Sequence, residues 1–162
     1  MAYGSNPKLV NTGAGVLEEL SHTHVGTGTS AFVTGELVYS NAGVITVCAS
    51  DAVVIYGQAL TADGAAATEV VVRKILPHQL WKIKLYDTSD GAVTTADEFT
   101  YGKAHGLVLA SNVWYVDHDE ITADAVVYQG PALEPGDNPD GSDSNWGLFR
   151  FLPTVCQSQT GN

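Results

Sequence analysis

From Phe32 onward the chain is a succession of short β-branched or aromatic runs cut by Gly, Asn, Asp and Pro, with too little sequence between them for crossover helices. Nine runs have strand character: Phe32–Tyr39, Val44–Ala49, Val53–Ala59, Glu69–Leu76, Leu80–Tyr86, Gly106–Ala110, Val113–Asp117, Ala125–Gln129 and Leu148–Leu152. The predicted class is all-β, a small antiparallel β-barrel or sandwich. Leu80-Trp81-Lys82-Ile83-Lys84-Leu85 alternates with period two, which puts Trp81, Ile83 and Leu85 on a different face from Lys82 and Lys84. Val44-Ile45-Thr46-Val47-Cys48 alternates in the same way. Val70-Val71-Val72 is apolar on both faces, which predicts a strand covered on both sides, by its own chain in preference to a partner subunit.

The breaks between runs have turn chemistry. Asn41-Ala42-Gly43 fits a short hairpin with Gly at positive φ, and Asp63-Gly64 and Asp90-Gly91 are further turn formers. Pro77 has no N–H for a ladder and restricts Leu76, so it should interrupt the ribbon between two strong strands. Residues 130–146, dense in Pro, Gly, Asp and Asn, are expected to form a long loop. Asp51–Leu60 echoes Asp124–Leu133, which leaves two readings open. Either the body of residues 31–162 contains two duplicated sub-barrels divided near 87–100, or Val-rich strands ending in Gly recur by chance.

Residues 1–30 differ in composition, being rich in Gly, Asn, Ser and Thr with sparse apolar side chains. They are expected to form an extended N-terminal arm that orders against a partner and adds little to the stability of the body. Its candidate contact residues are Leu9, Val10, Val16, Leu17 and Leu20. An arm of this kind binds by adding a strand to an exposed sheet edge, and many weak copies on a symmetric lattice gain by avidity.

Eighteen acidic and seven basic side chains give a net charge of −11. Affinity for nucleic acid rests on Lys and Arg replacing counterions, so this balance argues against DNA or RNA and equally against anionic lipid. The apolar runs are far shorter than the roughly 20 residues that span a bilayer. The first residues lack a basic stretch followed by an apolar one, so cytoplasmic synthesis is expected. Cys48 and Cys156, isolated from each other, read as free thiols.

No constellation of catalytic residues stands out. There is no Ser in a Gly-flanked elbow and no Cys beside a positioned His, and Gly26-Thr27-Gly28-Thr29-Ser30 lacks the Lys of a phosphate loop. His22-Thr23-His24 and Asp117-His118-Asp119-Glu120 contain metal-ligand types, but without a third ligand at helical or hairpin spacing they read as solvated loop residues. Asp137-Asn138-Pro139-Asp140-Gly141-Ser142-Asp143 offers oxygen donors without the order of a calcium loop and reads as an acidic turn. Neither enzymatic activity nor a cofactor or metal is expected.

The run Thr34-Gly35-Glu36-Leu37-Val38-Tyr39, followed by Gly43-Val44-Ile45-Thr46-Val47-Cys48, Ile55-Tyr56-Gly57-Gln58-Ala59-Leu60 and Glu69-Val70-Val71-Val72-Arg73, resembles the head decoration (cement) proteins of tailed bacteriophages. There a strand leads into G-x-L-V, a hairpin, an x-G-x-A-L turn and a closing strand. Tyr101-Gly102-Lys103 and Trp114-Tyr115-Val116-Asp117 are similar to the second half of that pattern, so the resemblance runs from Phe32 to Tyr128. It implies a structural virion protein, assembled in the host cytoplasm, that binds the major capsid protein on the outer surface of the expanded head. It further implies a homo-oligomer, a trimer or dimer, at a local symmetry axis, without catalytic residues. Two rival readings are another virion component, such as a head-fibre base or receptor-binding tip displaying residues 130–146, and a carbohydrate-binding β-module stacking sugars on Trp81, Trp114 or Trp146.

Overall fold

The computed structural model describes residues 6–11, 21–26, 31–62 and 69–157. These form twelve strands: β1 Lys8–Asn11, β2 Ser21–Gly26, β3 Leu37–Asn41, β4 Val44–Val47, β5 Gly57–Ala59, β6 Glu69–Lys74, β7 Leu80–Tyr86, β8 Ala104–His105, β9 Leu107–Ala110, β10 Val113–Asp117, β11 Val126–Pro131 and β12 Trp146–Phe151. One 3-10 turn, Ala96–Glu98, is the only helical element among the described residues. The protein is all-β, as its turn-punctuated runs predict.

Two sheets share the strands. β2-β4-β3-β5-β6 closes into a barrel, and β8-β11-β12-β7-β10-β9 forms a second sheet to which β1 adds along β7. Between β6 of the barrel and β7 of the second sheet the chain passes through residues 75–79, around Pro77. The two copies of the sequence echo differ in burial at their Val pairs: Val53 and Val54 are exposed, whereas Val126, which matches Val53, is buried in β11. Each sheet opens a hairpin with two consecutive positive-φ residues, Ala42-Gly43 between β3 and β4 and Ser111-Asn112 between β9 and β10. Two-residue loops of this hand match the right-handed twist of the flanking strands.

β3 shows how the sheets are joined. Leu37 and Val38 are both fully buried and point to opposite faces, Val38 into the barrel with Phe32, Ile45, Val70 and Val72, and Leu37 into the larger core with Trp81, Ile83, Trp114 and Phe149. Ile55 and Ile75 join that larger core from the barrel side. Each such side chain contributes about 1.5–3 kcal/mol by leaving water, so the two bodies hold each other apolar face to apolar face. Polar seams add to this: Gln157 makes paired 2.7 Å hydrogen bonds with the backbone of Ser40, and Ser50 Oγ accepts from Leu109 N at 2.8 Å.

Val71 is half-buried between buried Val70 and Val72, so β6 is covered on its inner face and not on both. Its unbroken apolar run reflects the fit of branched side chains to a pleated surface rather than double coverage. The expected Phe32–Tyr39 and Val53–Ala59 runs begin later and are shorter as strands, because Gly35 turns the chain at φ +97° and residues 53–56 touch the body through the isolated bridge Ile55–Cys156.

The described residues of the first thirty are extended, as expected, and both stretches pair within the chain. β1 lies antiparallel along β7, with Leu9 opposite Trp81. β2 pairs with β6 over five positions and with β4 at Val25 and Gly26, thereby closing the barrel. The segment thus contributes strands to both sheets of its own chain: backbone ladders do not require apolar side chains, which is why its polar composition concealed two strands.

Candidate functional site

The described residues gather cations on one face. Because β7 alternates, Lys82, Lys84 and Tyr86 stand on the side opposite buried Trp81, Ile83 and Leu85. The ladders then fix their neighbours: Lys8 of β1 and Leu148 of β12 lie opposite Lys82, while Trp146 of β12 and Tyr115 of β10 lie opposite Lys84. The Nζ atoms of Lys8, Lys82 and Lys84 are 5.1, 5.2 and 5.5 Å from the centroid of the Trp146 ring, within the range of cation–π attraction. Tyr86 and Tyr115 pack with ring centroids 5.2 Å apart on the same face. Arg150 follows Trp146 and Leu148 along β12 and is exposed.

Four of the seven basic residues of the chain, Lys8, Lys82, Lys84 and Arg150, therefore share one sheet face with three aromatic rings. A carboxylate already sits there, since Lys82 Nζ donates to Glu134 Oε1 from the loop between β11 and β12. Sequence alternation reveals Lys82 and Lys84 as an outward pair. Nothing local reveals that Lys8 and Trp146 join them, because those contacts come from strand pairing between distant parts of the chain.

The residues expected to form the docking arm separate. Leu9 is half-buried and packs on the larger core, so it contributes inside the molecule. Val10 is 53% exposed, at the register shift between Leu9 and Asn11 of β1. Val16, Leu17 and Leu20 lie outside the described residues.

A second cluster surrounds buried His105. Its Nδ1 is 3.2 Å from the carbonyl of His118, its ring packs on Phe99 at 4.8 Å, and Nε2 is buried without a partner. Burial first, and then the positive charge of Lys103, hold this imidazole below its usual 6.5. The unfolded chain thus takes up a proton at higher pH than the folded one does. Stability from this group is full above about 6.5 and declines as pH falls below it, with a slope that one proton caps at about 1.4 kcal/mol per pH unit. Urea midpoints at pH values on either side of this window should show the decline, and His105→Asn should flatten it. An unchanged slope in that variant would assign the acid limb to other groups.

The residues expected in solvated loops divide between a strand and a bend. His22, Thr23 and His24 lie within β2. His118 lies just past β10, where its N–H donates to Tyr86 O at 2.8 Å, and its potential ligand atoms and those of Asp87 and Asp119 lie within 4.8 Å of one another. Asp87 Oδ1 is already engaged by the N–H groups of Ser89 and Asp90 and by Ser89 Oγ. In the loop before β12, Asp137, Asp140 and Asp143 accept from the backbone N–H groups of Glu134, Ser142 and Asn138. These carboxylates organise the turn itself. Cys48 and Cys156 are free and buried, and burial pushes both thiols up to about 12. A thiol so protonated is a poor nucleophile.

Among the described residues no helix is long and apolar enough to cross a membrane. Comparison with known proteins finds no match: no family model, no curated protein and no solved structure is similar to this chain.

Proposed function

We propose that this chain is a structural virion protein that binds the outer surface of a tailed-phage capsid and stabilises the expanded head, acting by adhesion rather than by turnover. The observation that carries the proposal is the architecture of the segments with the family resemblance. Leu37–Asn41, Val44–Val47, Gly57–Ala59 and Glu69–Lys74 are four of the five staves of one closed barrel, and the fifth comes from the segment preceding them. Closure leaves the barrel without free sheet edges, a property suited to a body that accumulates in many copies on a lattice.

The absence of a catalytic role is part of the same proposal. Buried Cys48 and Cys156 are held protonated, and His105 faces a backbone carbonyl and aromatic rings. The carbohydrate-binding alternative loses two of its platforms, because Trp81 and Trp114 are fully buried, and the ring of Trp146 is attended by three ammonium groups. The test is co-sedimentation of the purified chain with expanded and unexpanded heads of the phage that encodes it. Saturable binding to expanded heads, with raised resistance of those heads to heat or chelation, is the expected result. No binding to either form would overturn the reading.

A further inference from the structure

We infer that the β1–β7–β12 face, with Lys8, Lys82, Lys84 and Trp146 at its centre, is the docking surface and that its occupant is an acidic, Asp- and Glu-bearing surface of the partner protein. This rests on the adhesive reading of function and assigns the face and chemistry through which adhesion occurs.

Charge distribution carries the inference. Three ammonium groups attend one indole ring, and one acidic side chain, Glu134, is paired with them. Like charges at this spacing repel, and an anion supplied from outside relieves that repulsion. The remainder of the molecule is strongly acidic, since the chain totals −11 with four of its seven cations on this face. A negatively charged partner is therefore opposed by the net charge of the molecule and steered toward the face that gathers most of its cations, which favours one orientation before contact. The half-buried Trp146, Tyr86 and Tyr115 supply flat, rigid contact area beside the cations, the combination enriched at protein interfaces.

Carboxylates suit the face better than a phosphate backbone. Lys82 already engages Glu134, so the geometry accepts a carboxylate. An extended nucleic acid carries about one charge per 1.7 Å of duplex and would continue past the patch onto acidic surface. The face is rigid because every member except Glu134 stands on a strand of a single ladder system.

The experiment uses the full chain and its Lys82→Gln/Lys84→Gln variant, with Lys74→Gln/Lys103→Gln as an equal charge change elsewhere. The probes are a glutamate-rich peptide of about a dozen residues, an oligothymidylate of similar length, and expanded heads. Matching thermal melts establish that the variants are folded. Peptide binding, followed by indole fluorescence, is expected to weaken about tenfold in the Lys82/Lys84 variant and to fade between about 50 and about 500 mM salt, while the Lys74/Lys103 variant behaves as the parent does. Equal peptide affinity in all three proteins overturns the inference, as does tighter binding of the oligothymidylate than of the peptide. If heads bind the parent and the Lys82/Lys84 variant equally, adhesion stands and this face is not its surface. If peptide binding maps to the face and no head binds, the face assignment stands and the capsid reading fails.

Discussion

Replacing Trp81 by alanine is expected to remove about 3–5 kcal/mol of stability, the range for emptying a large aromatic site in a packed core. Trp81 is fully buried at the meeting of three strands: β1 contributes Leu9 opposite it, β12 contributes Phe149 opposite it, and Phe151 meets its ring edge-on at 5.8 Å. The cavity left by alanine would lie under the lysine-bearing face, with rigid strands on both sides that cannot collapse into it. Trp81→Phe is expected to cost far less, because it keeps most of the ring and removes an indole N–H that is buried without an acceptor. Urea denaturation of both variants measures the difference. A cost below about 1 kcal/mol for alanine would mean that this seam is not the centre of the core.

Deleting residues 1–26 is expected to abolish cooperative folding. β2 supplies five register positions against β6 and the parallel contact with β4 that closes the barrel. At about 1 kcal/mol for each ladder hydrogen bond, its loss removes a large share of the 5–15 kcal/mol on which a domain stands. It also opens the barrel along β4 and β6, exposing the edges of strands whose inward residues Ile45, Val70 and Val72 are now fully buried. The same deletion removes Asn6, Pro7 and β1. Gln58 Nε2 donates to Pro7 O, and Asn6 lies against Gly35, where even a Cβ would come within 2.8 Å of its Nδ2. These contacts fasten β1 to the barrel. Thermal melting followed by circular dichroism is the measurement, and an unchanged transition in the truncated chain would show that β1 and β2 are dispensable additions.

The two deletions of contact that matter most therefore fall on residues of opposite legibility. Trp81 declares itself, since it alternates with Lys82 and Lys84 and shares its face with Ile83 and Leu85. Ser21-His22-Thr23-His24-Val25-Gly26 does not, because its strand state rests on backbone pairing with β6 rather than on an apolar face.

The sequence alone determined the all-β class, the nine strand runs in order, the Asn41–Val44 hairpin, the break at Pro77 and the inward orientation of Trp81, Ile83 and Leu85. All of these depend on side-chain alternation and turn stereochemistry within a few residues. Tertiary structure decided the rest. It chose which strands pair, and so made β10 parallel to β7, drew β2 into the barrel and split Leu37 and Val38 between two cores. It also assembled Lys8 and Trp146, from opposite ends of the chain, beside Lys82 and Lys84. Pairing between distant strands is selected by the burial and closure of the whole molecule, and that free energy is written in no single stretch of the chain.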